Sequence, residues 1–167
     1  DGCPVESPAA DSDTITVATE NGSLFGFDAR SGDQLFRFAT EADIDVAPAI
    51  ADNVAWVTDR NETVYAVRCD NGIEEWRHPQ KESKIRRIRA THSQATLGLK
   101  NGMIESFGRD TFKRLWHTQA NSPLTSGPKL MISTLAYGTE GGEFTLVERD
   151  GITKLGSRTT KQFEQPV

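Results

Sequence analysis

Cysteine is scarce in this sequence, and long apolar runs are absent. Among the 167 residues only Cys3 and Cys69 are cysteines, too few for a disulfide scaffold, and they could form one bridge or remain free thiols. No stretch reaches the roughly eighteen consecutive apolar residues expected of a membrane-spanning helix. With 36% apolar and 26% charged residues, the composition is typical of a globular domain and not of a disordered chain.

Motifs of metal and nucleotide chemistry are missing as well. The glycine-rich run at 138–142 is not followed by Lys-Ser or Lys-Thr, so it does not indicate a phosphate-binding loop. The pairs Asp11/Asp13 and Asp59/Asn61 are better explained as turn residues than as cation ligands. No zinc-binding spacing connects the three scattered histidines His78, His92 and His117. We therefore expect no metal site, no catalytic residue and no enzymatic activity.

The sequence does contain an internal repeat with a period of forty residues, which decides the fold. Equivalent positions are occupied by Pro8, Pro48, Ile88 and Pro128, by Val17, Val57, Leu97 and Tyr137, and by Asn21, Asn61, Asn101 and Gly141. Large rings, Phe36, Trp76 and Trp116, end the first three units. In the fourth unit we expect a slip of one residue after Gly142, which makes Leu155 the nearest equivalent.

Each unit is predicted to form four short antiparallel strands. In the first unit, residues 14–19 alternate between apolar and polar, as a half-buried strand does, and Asn21-Gly22 is typical of a tight hairpin turn. Two further strands follow at 24–27 and 34–38, and a strand containing the repeat proline precedes the set. An all-β propeller with one unit per blade is therefore predicted, with a β-sandwich as the second choice.

The segment from Gly26 to Phe36 resembles the repeat of the PQQ-like (quinoprotein-type) β-propellers, which reads Ala-x-Asp-x-x-Thr-Gly followed by Trp four residues later. The second unit keeps the Gly and the Trp, whereas the third has Phe112 where the Gly belongs. The resemblance implies a β-propeller domain of about four blades over residues 1–157, followed by a polar tail at 158–167. It also implies structural roles for Gly32, Gly72, Phe36, Trp76 and Trp116.

The resemblance has consequences for closure and for cofactors. Members of the family commonly have more than four blades, so we expect a partial propeller that is not a lone monomer. Its outer faces would be capped by a second chain, by a copy of itself or by further residues. Quinoprotein dehydrogenases hold their cofactor inside a complete ring, often beside an adjacent cysteine pair, and this sequence has no such pair. No cofactor is therefore expected.

A basic segment at the start of the third unit is the candidate partner-binding site. Residues 80–119 hold nine basic and three acidic side chains, although the whole chain carries a net charge of −5. The candidates are Lys84, Arg86, Arg87 and Arg89, in the strand that should line the channel. Strand alternation places Arg87 and Arg89 on one face and Arg86 with Ile88 on the other. The segment is either a solvated strand end or a patch for an acidic partner segment or lipid headgroups, and membrane contact would be indirect. Nucleic acid is not expected, because the chain is acidic and no aromatic residues interleave with the basic ones.

These observations favour a non-enzymatic protein-interaction scaffold, similar to the members of the family that act in outer-membrane protein assembly. The alternative is a dimerising luminal or extracytoplasmic sensor domain of a stress-sensing kinase-like receptor. Either function implies protein partners, self-association among them, and an extracytoplasmic location, whether periplasmic, secreted or luminal. Asn21 and Asn61 stand in Asn-x-Ser/Thr sequons and are either glycan sites or plain turn residues.

Overall fold

In the computed structural model, residues 2–5, 7–130, 134–148 and 154–159 are described. This part of the chain forms sixteen strands in four four-stranded antiparallel sheets, the four blades. Blade 1 consists of β1 Ala9–Ala10, β2 Thr14–Thr19, β3 Ser23–Asp28 and β4 Gln34–Ala39. Blade 2 consists of β5 Ala49–Ala51, β6 Val54–Thr58, β7 Thr63–Arg68 and β8 Glu74–Pro79. Blade 3 consists of β9 Ile85–Ala90, β10 Gln94–Leu99, β11 Met103–Gly108 and β12 Arg114–Gln119. Blade 4 consists of β13 Leu124–Leu130, β14 Thr134–Thr139, β15 Glu143–Glu148 and β16 Lys154–Thr159.

The four-stranded antiparallel blades confirm the predicted all-β propeller-type fold. Strand order within each blade follows the sequence, and the first strands of successive blades contact each other, β1 with β5, β5 with β9 and β9 with β13. Those first strands therefore form the inner side of the arc. The expected domain boundary between residues 157 and 158 falls inside β16, and residues 160–167 of the expected tail lie outside the described residues.

The turns of the blades explain why glycines recur every forty residues. Gly32 and Gly72 have positive φ angles of 77° and 73° in the turn before the fourth strand. Phe112 keeps the same conformation in blade 3, with φ at 53°, although a side chain with a Cβ disfavours it. Its ring stacks on Trp76 with the ring centres 5.5 Å apart, and this packing offsets the backbone strain.

Three separate cores lie between successive blades, because alternate residues of each strand face opposite neighbours. The first core joins blades 1 and 2 and contains Leu24 and Tyr65. The second joins blades 2 and 3 around Trp56 and Leu97, and the third joins blades 3 and 4 through Trp116. Strands of the inner blades are therefore buried on both faces, whereas β14 in blade 4 alternates between buried and half-buried residues. Among the described residues, no core joins blade 4 to blade 1.

A large ring on the fourth strand of each of the first three blades packs onto the next blade. Phe36 lies over Gly26, where a Cβ atom would come within 1.9 Å of the Phe36 ring, and also against Gly72 of blade 2. Trp76 contacts Phe107 of blade 3, with ring centres 5.3 Å apart. Trp116 is buried between blades 3 and 4. All three rings therefore lie between neighbouring blades, and their structural roles stay a prediction that a substitution of Trp116 tests.

Blade 4 lacks this ring, and the expected slip to Leu155 is wrong. Strand pairing sets Phe36 opposite Gly26, Trp76 opposite Ala66 and Trp116 opposite Ser106. The equivalent pair in blade 4 is Leu146 with Gly156, so the period of forty continues without a slip. All four blades carry a register shift immediately after this pair. Blade 4 therefore keeps the same spacing between its third and fourth strands as the other three blades.

Replacing the buried ring between blades 3 and 4 should destabilise the fold. Trp116 is 8% exposed, whereas its neighbour Leu115 is 52% exposed on the same strand. We expect Trp116→Ala to lower the free energy of unfolding by about 3 kcal/mol, since it leaves a cavity in the core. Leu115→Ala, the matched control, should change it by less than ~0.5 kcal/mol. Urea denaturation measures both, and equal effects would contradict this packing.

Candidate functional site: a basic inner strand

The basic segment forms β9, the inner strand of blade 3. Ile85 and Ile88 are fully buried in the core between blades 2 and 3, whereas Arg87 and Arg89 are half-buried. Arg87 pairs with Gly98 of β10, and Ile85 pairs with the next residue, Leu99. Arg86 therefore has no partner residue on β10 and forms a bulge in the strand pairing. Arg86 is exposed and does not share the buried face of Ile88, so the expected strict alternation is wrong there.

Arg87 and Arg89 line a cleft on the inner side of the arc. A cavity of about 360 Å³ lies between them and the first strands of blades 1 and 2, where Pro8 and Pro48 contribute to its wall. Alanines and the two prolines make up most of the remaining lining, and no acidic side chain takes part. The first strands of the blades therefore line the inner side, and they bring two guanidinium groups to a cleft walled mainly by alanine and proline residues.

Arg87 also borders two further cavities next to blade 4. One has a volume of about 620 Å³ and is lined by Arg87, Arg89 and Lys129 together with Phe144 and Leu146. The other, of about 340 Å³, includes Arg86, Arg87 and the carboxylate residue Glu140. Gly127 makes room for the arginine, because a Cβ atom there would lie 2.5 Å from the Cβ of Arg87. Arg87 is therefore the residue that the inner cleft and the blade 4 cavities share.

Lys84 is separated from the arginines by its ion pair. Its Nζ atom lies 2.6 Å from Oδ2 of Asp45, and Arg60 approaches the same carboxylate at 3.8 Å. The charge of Lys84 is therefore engaged with blade 2 and not directed into the cleft. Of the four candidates, the structure brings Arg87 and Arg89 together, sets Arg86 beside them and places Lys84 elsewhere.

Glu105 is an ionisable group that the sequence analysis did not single out. It is 1% exposed in the interface between blades 2 and 3, where the Gln80 amide donates a hydrogen bond to Oε1. Burial raises the pKa of Glu105, and the Arg114 guanidinium, 3.6 Å from Oε2, acts in the opposite direction. The equivalent residues in blades 1, 2 and 4 are Phe25, Tyr65 and Thr145. A charged residue at a buried repeat position was the signal that could have revealed it.

The aspartates considered as weak cation ligands are engaged in turns. Asp11 Oδ1 accepts hydrogen bonds from the backbone N–H groups of Asp13 and Thr14. Asp59 accepts from the Asn61 backbone and, at 2.9 Å, from the Tyr65 hydroxyl. Burial and this hydrogen bond raise the pKa of Tyr65 to about 12. In the described part of the chain, no group of three or more metal-ligating side chains comes together.

The cysteines and the sequon asparagines occupy different surroundings. Cys3 and Cys69 are separate free thiols, the first exposed and the second buried. Burial raises the pKa of Cys69 to about 12, so its thiol is inert at neutral pH. Asn21 and Asn61 are both exposed in equivalent hairpin turns, and their glycosylation stays a prediction. Among the described residues there is no helix long and apolar enough to cross a membrane.

Glu105 should make the stability of the fold depend on pH. Its pKa is higher in the folded than in the unfolded chain, so the folded state binds the proton more tightly. Its contribution to stability is therefore lost as pH rises from about 4.5 through the folded pKa. We expect the Glu105→Gln variant to lack this decline.

The measurement is chemical denaturation of both proteins across this pH range. The exposed Glu20→Gln variant is the control for the change in net charge and should follow the unaltered chain. Parallel curves for the Glu105→Gln variant and the unaltered chain would contradict a raised pKa at Glu105.

Comparison with known proteins identifies the repeat. The family model described as outer membrane protein assembly factor BamB matches residues 3–98, more than half of the chain. No curated protein sequence matches the chain.

Solved structures show the same fold at low sequence identity. BamB from Moraxella catarrhalis is 13% identical with a TM-score of 0.69, over 94% of this chain and 62% of that one. The computationally designed Ika8 protein is 14% identical with a TM-score of 0.77, over 90% of this chain and 48% of that one. The designed Ika4 protein is 16% identical with a TM-score of 0.76, over 88% and 91% of the two chains.

The chain thus spans about half the length of Ika8 and less than two thirds of the length of the Moraxella protein. The forty-residue repeat, the four antiparallel blades and the family match agree with one another. This chain belongs to the BamB family of PQQ-like β-propeller repeat proteins.

Proposed function

We propose that this chain is a non-enzymatic protein-interaction domain that binds an extended acidic segment of a partner protein in the inner cleft. The observation that carries the proposal is the pair Arg87 and Arg89 in a cleft whose lining includes no acidic residue. Guanidinium groups bind carboxylates with two parallel hydrogen bonds, and partial burial strengthens such contacts. The small alanine and proline side chains leave room for a peptide backbone beside them.

The distribution of charge supports the same kind of partner. The chain is acidic overall, so its general field repels acidic proteins, whereas the strand beside the cleft carries three arginines within four residues. Charge complementarity of this kind raises the rate of association and selects the register of the bound segment. A partner that presents carboxylates in an extended conformation fits the site better than a globular acidic surface does.

The buried ionisable groups support a binding role over a catalytic one. Asp59 is held by the Tyr65 hydroxyl and by backbone N–H groups, and Glu105 by Gln80. Each has a structural partner, and neither borders the cleft. The matching family model is described as an outer membrane protein assembly factor, and an extracytoplasmic location is part of this proposal.

A glutamate-rich peptide and its glutamine-substituted counterpart test the proposal by fluorescence anisotropy. We expect the Arg87→Ala/Arg89→Ala variant to bind the glutamate-rich peptide at least about tenfold more weakly, because two charged hydrogen-bonding groups are lost. Lysine at both positions should restore only part of the affinity, since an ammonium group cannot make the paired contact.

The matched control removes two positive charges outside the cleft, in the variant Arg30→Ala/Lys113→Ala. Both residues are exposed, and Arg30 forms only a surface ion pair with Asp13. Equal loss of affinity in the two double variants would indicate general charge attraction and would contradict a specific cleft. Equal binding of the glutamine-substituted peptide would contradict it as well.

A further inference from the structure

Glu62 departs from the repeat at a turn where the other three blades have glycine. The hairpin between the second and third strands of each blade contains a residue with a positive φ angle, at 77° for Gly22, 91° for Gly102 and 74° for Gly142. Blade 2 has Glu62 at this position, with φ at 60°. A residue with a Cβ atom disfavours this backbone conformation. A strained residue of this kind directs attention to the contact that its side chain makes.

The Glu62 side chain reaches the first residue of the basic strand β9. Its Oε2 atom accepts a hydrogen bond of 2.6 Å from the backbone N–H group of Ile85, and its backbone carbonyl accepts one of 2.8 Å from the N–H group of Gln80. The same backbone bond recurs at the glycines of blades 1 and 3, but a glycine has no side chain with which to make the other one. Glu62 therefore holds the linker at 80–84 from both sides.

The linker between blades 2 and 3 leaves room for this side chain, whereas the corresponding linkers do not. A Cβ atom on Gly22 would lie 2.6 Å from the carbonyl oxygen of Ala42, and one on Gly102 would lie 2.7 Å from that of Ser122. A carbon and an oxygen that are not bonded to each other do not come this close. The linker at 80–84 therefore follows a different path above the turn, one that accommodates Glu62.

Further hydrogen bonds keep the linker in this path. The Gln80 side-chain amide donates to Glu105, and the Oε1 atom of Gln80 accepts from the Glu82 N–H group at 2.8 Å. The Oγ atom of Ser83 accepts a hydrogen bond of 3.2 Å from the Asn101 N–H group. A linker that is tied at each of these points passes the position of the Glu62 turn on to the strand that follows it.

Strand β9 is fixed on both sides of Arg86. Ile85 is held by Glu62, and Arg87 on the other side is paired with β10. Ile88 anchors the next part of the strand in the core between blades 2 and 3. The short stretch that carries Arg86 and Arg87 therefore has its position set at one end by the Glu62 carboxylate.

The first strand of blade 4 shows how such a strand pairs when the preceding blade has glycine at the turn. β13 pairs from Leu124, the repeat equivalent of Lys84, and contains two register shifts. β9 pairs from Ile85, one position later in the repeat, and contains one. A shift of one residue turns a side chain to the opposite face of a strand, so it would exchange the directions of Arg86 and Arg87.

The surroundings of Glu62 make its carboxylate depend on this contact. Burial raises the pKa of Glu62, whereas the hydrogen bond from Ile85 and the charge of Lys84 lower it, and the charges of Asp45 and Asp59 raise it. The Ile85 N–H group therefore replaces part of the hydration that the half-buried carboxylate has lost.

We propose that Glu62 is a positioning residue that holds the start of β9 so that Arg87 reaches the inner cleft. This inference rests on the acidic-segment proposal, because it concerns how one of the binding arginines is placed. Without the carboxylate, the Ile85 N–H group loses its acceptor, and the start of the strand re-pairs one residue earlier, as in β13. Arg89 lies beyond the anchored Ile88 and keeps its place.

Fluorescence anisotropy with the glutamate-rich peptide separates this role from the charge of Glu62. Loss of one negative charge by itself strengthens the binding of an acidic peptide, whereas loss of the positioning contact weakens it. We expect Glu62→Gly, which introduces the residue of the other three blades, to bind the peptide about fivefold more weakly. Glu62→Gln keeps a carbonyl oxygen as acceptor and should not weaken binding. Glu20→Gln, which removes an exposed charge beside the equivalent turn of blade 1, is the charge control and should not weaken binding either.

A double-mutant cycle identifies the arginine through which Glu62 acts. In an Arg87→Ala background, Glu62→Gly should have no further effect on affinity, because the residue that it positions is already lost. In an Arg89→Ala background it should still weaken binding about fivefold. Urea denaturation shows whether each variant remains folded at the temperature of the binding experiment.

Amide NMR tests the contact in the absence of any ligand. In the unaltered chain the Ile85 amide resonance should follow the titration of a carboxyl group, and in Glu62→Gly it should lose this response and exchange its hydrogen faster. The amide resonances of Arg86 and Arg87 should shift in the variant, whereas that of Arg89 should not. If these responses are seen but the unaltered chain does not bind the peptide, the acidic-segment proposal is overturned and the hold of Glu62 on β9 is not. An Ile85 amide that behaves identically in both chains, or unchanged or stronger peptide binding by Glu62→Gly, would overturn the positioning role.

Discussion

The burial of apolar side chains between successive blades is the constraint on which the rest of the structure depends. A four-stranded sheet buries apolar side chains on both sides only when it is sandwiched, as β6 and β10 are. The rings Phe36, Trp76 and Trp116 pack between neighbouring blades, and Gly26 and Gly72 let Phe36 approach the sheets closely. The same packing holds β9 in place, because Ile85 and Ile88 are buried in a core while Arg87 and Arg89 reach the inner side of the arc.

The forty-residue repeat predicted the fold well, because period-two alternation and turn glycines are local properties of each unit. The hairpin of blade 1 lies where residues 14–27 indicated, and the rings of the first three units pack between blades. The expected one-residue shift of the repeat to Leu155 was wrong because it was based on finding a large residue. Strand pairing instead places Gly156 at the repeat position. The residue types alone do not show whether the backbone keeps its register when a ring at a repeat position is replaced by glycine. Strand pairing is needed to show it.

The site was predictable in part. That Arg87 and Arg89 share a face follows from their spacing, but the extra residue at Arg86 depends on pairing with β10, which involves residues outside the segment. The engagement of Lys84 with Asp45, a partner thirty-nine residues away, is likewise a tertiary contact. Glu105 was overlooked because its burial is set by blade 2 and Gln80, although its position in the repeat carried a usable signal. The contacts that the local sequence does not reveal here are therefore those made to a different strand or blade.

The central claim is that the four described blades form an open arc in which no core joins blade 4 to blade 1. Hydroxyl-radical footprinting with mass spectrometry tests it most directly, because the radical modifies aromatic side chains in proportion to their exposure to solvent. At low protein concentration we expect strong modification of Phe144 and none of Trp56, which is 1% exposed. Protection of Phe144 in the dilute monomer would mean that blade 4 already closes on blade 1 of the same chain, and it would contradict the open arc.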